Sequence, residues 1–129
     1  MRLLLDTHAY LWWESDAPNL AGTARDAVAD PRNEVCVSIV SLWEIAIKVR
    51  LGKLDADLAR LVEGLGENGF RLLGVQPQHV LETVRLPLHH KDPFDRLLVA
   101  TARLEGLTLV SSDARLPLYP VELLPCAGR

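Results

Sequence analysis

Short apolar runs and longer segments of mixed polarity alternate along this chain. The runs at 3–5, 35–38, 70–75 and 107–110 are mostly apolar, which is typical of strands buried on both faces of a parallel sheet. A further short strand is predicted at 121–124, after a segment rich in proline and leucine. The pattern therefore predicts a sheet of four to five strands.

Between these runs lie segments with helical periodicity and residues that begin or end helices. The predicted helices cover 8–13, 23–30, 41–50, 56–65, 77–85 and 92–105. Pro31 follows the second helix and Gly106 follows the last, as expected for residues that end helices. Because helices alternate with buried strands, the chain is predicted to have an α/β fold, with helices on both faces of a parallel sheet.

The composition is that of an ordinary globular protein. The chain has 129 residues, of which 49% are apolar and 24% charged, so we expect one domain spanning 1–129. The net charge of −3 gives no overall basic field that would indicate nucleic-acid binding. Cys36 and Cys126 lack the spacing of a metal or redox motif and are expected to be free thiols.

The apolar N-terminal run does not resemble a secretion signal, because Asp6 and His8 interrupt it. No stretch approaches the roughly 18 uncharged residues that a membrane span requires. We therefore expect a cytoplasmic protein that does not cross a membrane.

Acidic residues follow several of the predicted strands. Asp6 and Asp113 stand at the carboxyl ends of the first and fourth strands, and Glu44 is predicted in the first helical turn after the second. In an open parallel sheet these positions share one edge, where ligands bind. Asp95 begins a helix that leads into the fourth strand, so it reaches that edge only if residues 77–91 carry the chain there.

Each acid also has a purely structural interpretation. Asp6 and Asp113 are suited to capping turns. Glu44 is spaced to form a capping box with Ser41 or an ion pair with Lys48, one turn further on.

The segment DPFDR, residues 92–96, poses the same choice. Asp92 is a good N-cap, Pro93 suits the first helical position, and Asp95 would interact favourably with the helix dipole. Yet carboxylates about 4 Å apart repel each other by roughly 1–4 kcal/mol per pair, so a convergent set requires a cation or a proton. A site built from oxygen ligands suits Mg²⁺ or Mn²⁺, ions that bind phosphate oxygens and activate water.

Three blocks of the sequence resemble one known family. LLLDTHAYLWW, VSIVSLWEIAIKVRLGKL and HHKDPFDRLLVATARLEGLTLVSSD, in this order, are similar to the PIN-domain ribonucleases and, more narrowly, to the VapC-type toxins of toxin–antitoxin pairs. The resemblance implies a three-layer α/β/α fold. It also implies an acidic catalytic and metal site formed by Asp6, Glu44, Asp95 and Asp113, with Asp95 preferred to Asp92.

The implied activity is metal-dependent hydrolysis of RNA, leaving a 5′-phosphate and forming no covalent intermediate with the enzyme. In this interpretation Asp6 and Asp95 bind Mg²⁺ or Mn²⁺ most directly, and Glu44 and Asp113 complete the site. The resemblance further implies a cognate antitoxin as protein partner and assembly into a homodimer.

Residues beside the acids have expected roles as well. Thr7 and Ser112 are expected to donate hydrogen bonds that fix the carboxylates. His8 is expected to be structural, and His89 and His90, which precede a turn, to be solvated. The three tryptophans could stack on nucleic-acid bases, but they are expected to anchor the core or an interface: Trp12, Trp13 and Trp43.

Two groups of basic residues surround the acidic segments. They are Lys48, Arg50 and Lys53 near Glu44, and Lys91, Arg96 and Arg103 near Asp95. Such charges usually form a solvated face, and in a nuclease they become candidates for guiding the phosphate backbone.

Other functions leave different marks. A housekeeping RNA-processing PIN nuclease would carry the same four acids. A phosphotransfer domain would show a D-x-D motif, whereas Asp6 is followed by Thr7 and His8. A non-catalytic partner-binding module would tolerate replacement of the acids, and all four are present.

Overall fold

The computed structural model describes residues 1–127, and its centre is a parallel sheet. The five strands are β1 (Arg2–Leu5), β2 (Glu34–Ser38), β3 (Arg71–Leu73), β4 (Thr108–Val110) and β5 (Leu123–Leu124). They lie in the order β3-β2-β1-β4-β5, and every neighbouring pair is parallel. The predicted fold class is confirmed, and the sheet has the larger of the two predicted strand numbers.

Six α-helices accompany the sheet within the described residues. They are α1 (Thr7–Glu14), α2 (Gly22–Ala29), α3 (Ile39–Arg50), α4 (Leu58–Glu67), α5 (Pro77–Arg85) and α6 (Pro93–Glu105). A short 3₁₀ helix covers Leu116–Leu118. No helix among residues 1–127 is long and apolar enough to cross a membrane.

The start of α3 differs from the prediction in a way that affects the site. Its N-cap is Ser38, whose hydroxyl accepts a hydrogen bond from the Val40 N–H at 3.1 Å. The helix therefore begins before Ser41, and Glu44 lies in its second turn. A capping box between Ser41 and Glu44 is excluded, because such a box requires Ser41 to be the N-cap.

The central strand β1 separates the two halves of the core. Leu3 and Leu5 are fully buried in the cluster that contains residues of α1 to α4. Leu4, also fully buried, points to the opposite face and packs in the cluster formed largely by α6 and β4. Each such leucine contributes about 1.5–3 kcal/mol through burial, so β1 anchors both helical layers of the α/β/α sandwich.

Helices α5 and α6 form an antiparallel pair. His79, near the start of α5, makes a 2.8 Å hydrogen bond with Glu105 at the end of α6. At the other end, the Arg96 guanidinium donates to the carbonyls of Thr83 at 2.6 Å and Leu86 at 3.1 Å. Residues 77–91 therefore carry the chain back to the carboxyl-terminal edge of the sheet, as the position of Asp95 required.

Arg96 holds the connection between these helices together. Its guanidinium also donates to the carbonyls of Pro87 at 2.9 Å and His90 at 3.2 Å, and to the Tyr119 hydroxyl at 3.3 Å. The expectation that Arg96 belongs to a solvated basic face is wrong, because carbonyl oxygens surround its charge. Arg103 makes one such bond, to the carbonyl of Pro120 at 3.0 Å.

Replacing Arg96 by lysine should lower the free energy of unfolding by about 2–4 kcal/mol. A single ammonium group cannot reach all the carbonyls that the planar guanidinium satisfies, and partly buried acceptors without a partner are costly. Urea unfolding followed by circular dichroism measures the change. Arg103→Lys, on the same helix, is the matched control and should cost less than about 1 kcal/mol; equal losses in the two variants would contradict this role.

Candidate metal centre

The four predicted acids lie around one cavity at the carboxyl-terminal edge of the sheet. The cavity has a volume of about 410 Å³ and is lined by Asp6, Glu44, Asp92, Asp95 and Asp113, among others. The chain passes from β1 to β2 on one side, and β4 pairs with β1 on the other, so the cavity lies where the strand order reverses. This is the position at which ligands bind in open α/β sheets.

Asp6 and Asp92 line the cavity and cap helices at the same time. Asp6 is the N-cap of α1, and its Oδ1 accepts the Ala9 N–H at 2.8 Å. Asp92 is the N-cap of α6, and its Oδ1 accepts the N–H groups of Phe94 at 2.8 Å and Asp95 at 3.1 Å. The structural role predicted for Asp92 is confirmed, and it does not remove either carboxylate from the cavity wall.

Glu44 is buried and held from two sides. The Thr7 hydroxyl donates to its Oε1 at 2.6 Å, and the Lys48 ammonium donates to its Oε2 at 2.8 Å. The predicted hydrogen bond from Thr7 to a site carboxylate and the predicted ion pair with Lys48 are both confirmed. The Glu44 charge is therefore largely balanced within the protein itself.

Asp95 and Asp113 are joined by a residue that sequence analysis had placed in solvent. His90 Nε2 lies 2.8 Å from Asp95 Oδ2 and 3.2 Å from Asp113 Oδ2. His90 is only 6% exposed, so the expectation of a solvated side chain is wrong. Each of these three side chains has a ligand atom within 4.8 Å of the other two, a spacing that could hold a metal ion.

The burial of His90 follows from contacts that are distant in the sequence. Its backbone N–H donates to the Tyr119 hydroxyl at 2.9 Å, and Arg96 binds its carbonyl. Neither contact can be inferred from the local pattern HHKDPFD, which resembles an exposed turn. His89, in contrast, is exposed as predicted.

Other residues near the cavity differ in how well their roles were anticipated. The Ser112 hydroxyl accepts the N–H groups of Cys126 and Ala127, both at 2.7 Å, and so fixes the end of the described chain rather than a site carboxylate as predicted. The neighbouring Ser111 hydroxyl instead accepts the Asp113 N–H at 3.3 Å. Arg115, which sequence analysis did not single out, contributes a basic group to the cavity wall.

The aromatic residues divide between the core and the surface. Trp12 and Trp13 are half-buried against the core, as expected, and Trp12 also lines the cavity beside His8. Trp43 is 62% exposed and packs edge-on against Phe94. Trp43 is therefore available for an intermolecular contact, whereas Trp13 is an anchor of the core.

The electrostatics of the cavity favour an added positive charge. Burial raises the pKa of Asp6, although the nearby Ser111 side chain acts in the opposite direction. Burial, followed by repulsion from Asp92, raises the pKa of Asp95 to about 6. Two carboxyl groups thus pay a free-energy penalty for ionising at neutral pH, and a bound divalent cation would remove that penalty.

The raised pKa of Asp95 predicts how stability depends on pH in the absence of metal. The folded protein retains a proton that the unfolded chain releases between about pH 4 and pH 6, so this carboxyl group lowers the free energy of unfolding as the pH rises through that window. Asp95→Asn should therefore stabilise the metal-free protein at pH 7.5 by about 1–2 kcal/mol, even after the smaller loss of a favourable helix-dipole interaction. The advantage should vanish near pH 4.5.

Thermal unfolding with a chelator present, at both pH values, measures this difference. Asp26→Asn, an exposed carboxylate on α2, is the control for the loss of one negative charge. The prediction would be contradicted if Asp95→Asn were less stable than the wild type at pH 7.5, or if its gain in stability over the wild type were the same at both pH values.

Comparison with known proteins agrees with this architecture. The sequence model of the PIN domain matches residues 3–121. The chain is 32% identical over 117 residues to Ribonuclease VapC22 of Mycobacterium tuberculosis, a match that covers 88% of each protein.

Two solved structures show how widely the fold is shared. One is that of VapBC2 from Rickettsia felis bound to a DNA fragment from their promoter, with a TM-score of 0.75 at 16% identity over 98% of this chain and 99% of that chain. Another is PAE2754 from Pyrobaculum aerophilum, with a TM-score of 0.62 at 19% identity over 95% of this chain and 83% of that chain. At such identities these likenesses demonstrate the fold alone, whereas the match over residues 3–121 demonstrates that the chain belongs to the PIN-domain family.

Proposed function

We propose that this protein is a metal-dependent ribonuclease and the toxin of a toxin–antitoxin pair. The observation that carries the proposal is the convergence of Asp6, Glu44, Asp95 and Asp113 on one cavity at the switch point of the sheet. The relative from Mycobacterium tuberculosis is named a ribonuclease, and a further structural neighbour is a toxin–antitoxin complex from Klebsiella pneumoniae. Residues 1–129 act in this proposal as one PIN domain.

The donors around the cavity fit a divalent cation of the Mg²⁺ or Mn²⁺ class. They are predominantly carboxylate oxygens, which such ions prefer. Burial raises the pKa of Asp6 and of Asp95, so a bound cation would stabilise the ionised form of both groups. Asp6 and Asp95 are the proposed direct ligands, and Glu44 and Asp113 complete the site. When bound, the cation would polarise a phosphate group of the substrate and activate a water molecule.

Basic side chains on the cavity wall are placed to bind the RNA backbone. Lys48 lies there with its ammonium on Glu44, which raises the pKa of the lysine and keeps it charged. Arg115 lines the same cavity from the segment after β4. Together they offer positive charge to a phosphate that would otherwise face only carboxylates.

Water rather than a protein side chain is the proposed nucleophile. Cys126 is the thiol that lines the cavity, but burial raises its pKa to about 11, so it stays protonated at neutral pH. A protonated, buried thiol is a poor nucleophile. Hydrolysis by an activated water, without a covalent intermediate, therefore suits this cavity better.

The proposed partners are an antitoxin and a second copy of this chain. Helix α5 and the residues after it expose four large apolar side chains: Val80 at 52%, Leu81 at 68%, Val84 at 84% and Leu88 at 75%. Apolar groups exposed together on one element commonly mark a protein–protein interface. This surface supports a homodimer.

The role as a toxin is tested separately. A small antitoxin gene immediately upstream would distinguish a toxin from a housekeeping nuclease.

The purified chain without its partner should cleave RNA only when Mg²⁺ or Mn²⁺ is present. A chelator should stop the reaction, and Asp6→Asn and Asp95→Asn should each reduce the rate by about a hundredfold or more, because an amide cannot replace a carboxylate ligand. Asp26→Asn, far from the cavity, should cleave like the wild type. Cleavage that persists with the chelator or in both site variants would overturn the nuclease proposal.

Introducing charge on α5 should separate the homodimer. Val84 is exposed in the protomer, so Val84→Glu should leave the fold intact and place a carboxylate in the proposed apolar interface. Light scattering after size-exclusion chromatography should then report a monomer, whereas Val62→Glu, an apolar position on α4 that is 48% exposed, should remain dimeric. A wild-type protein that is monomeric at all accessible concentrations would exclude the homodimer.

A further inference from the structure

His90 has an environment that distinguishes it from every other group around the cavity. Its side chain is 7% exposed, and its Nε2 stands between two acids, Asp95 and Asp113, at 2.8 Å and 3.2 Å. These acids come from different elements: Asp95 lies in the first turn of α6, and Asp113 follows β4. His90 is therefore the side chain that connects them.

Hydrogen bonds hold both the backbone N–H and the backbone carbonyl of His90. Its N–H donates to the Tyr119 hydroxyl, which in turn donates to the Pro87 carbonyl at 2.7 Å. Its carbonyl accepts from the Arg96 guanidinium. The position of the ring is thus set by groups on α6 and after the 3₁₀ helix, and it does not depend on the acids alone.

The contacts of the ring favour one of its two tautomers. The Asp92 N–H points to Nδ1 at 3.4 Å, an arrangement that favours the tautomer with its hydrogen on Nε2. Nε2 then faces Asp95 and Asp113 as a donor shared between two carboxylates. In this tautomer the nitrogen has no free lone pair for a cation, so His90 is a partner of the ligands rather than a ligand itself.

We propose that His90 is a positioning residue of the metal centre, which holds the carboxylates of Asp95 and Asp113 side by side through its Nε2–H. This inference rests on the proposed function, since it assumes that the cavity binds a divalent cation. The Asp95 and Asp113 carboxylates have oxygens within 4.8 Å of each other, so their charges repel and favour moving apart. The shared donor keeps both within reach of one ion. Partners of this kind typically affect metal affinity by about 10–100-fold.

His79 provides a matched comparison within the same chain. It is also almost fully buried, and its Nε2 also lies 2.8 Å from a carboxylate, that of Glu105. It joins the ends of α5 and α6 remote from the cavity, however, and contacts one acid rather than two. A role limited to stability would make the two histidines equivalent, whereas a positioning role applies only to His90.

Titration calorimetry of the metal-free protein with MnCl₂ tests the proposal. His90→Phe should weaken Mn²⁺ binding by about 10–100-fold, and His90→Gln, which retains an N–H donor, should recover a large part of the affinity. His79→Phe should lower the thermal stability while leaving Mn²⁺ affinity within about twofold of the wild type. Circular dichroism establishes that each titrated variant is folded.

The outcomes separate this inference from the function on which it rests. If the wild type binds no Mn²⁺ or Mg²⁺, the proposed metal centre falls and the role of His90 with it. If the wild type binds and a folded His90→Phe binds equally well or more tightly, only the positioning role is overturned. Should His90→Phe not fold, Tyr119→Phe removes just the hydroxyl that fixes the His90 backbone; weaker Mn²⁺ binding supports the proposal, and unchanged binding overturns it.

Discussion

Repulsion among carboxylates gathered at one edge of a parallel sheet is the constraint around which this molecule is organised. Each acid is held by a different group: Asp6 by the start of α1, Glu44 by Thr7 and Lys48, and Asp95 together with Asp113 by His90. These partners restrain the acids without neutralising all of them, and burial together with repulsion from Asp92 still raises the pKa of Asp95. The fold therefore holds an electrostatic strain that a cation relieves.

The segment DPFDR shows that a structural role and a role in the site need not exclude each other. Asp92 satisfies the free N–H groups at the start of α6, and the helix that it caps presents Asp95 to the cavity. A carboxylate in the first turn of a helix is itself favoured by the dipole, which partly offsets the cost of placing it near other acids. The same local geometry therefore caps α6 and places Asp95 in the cavity.

The parts of the site that could be predicted are those set by local rules and by the direction of the strands. Asp6 and Asp113 follow buried strands, so the parallel sheet alone brings them to the same edge. Asp95 reaches that edge only because α5 and α6 pair in antiparallel. The length of residues 77–91 permits this pairing, but the sequence does not establish it. His90 could not be found in this way, because its burial depends on Tyr119 and Arg96, and nothing in its immediate sequence indicates those contacts.

The order of the strands also determines when the site can exist. β4 is added beside β1, pairing Thr108 with Leu3, and it alone brings Asp113 to the cavity. Contacts between residues so far apart in sequence form late, since the intervening chain must be made and closed first. A chain in which β4 has not yet joined β1 would therefore lack Asp113 in its cavity wall, so the four-acid site forms only after this long-range pairing and cannot act before it.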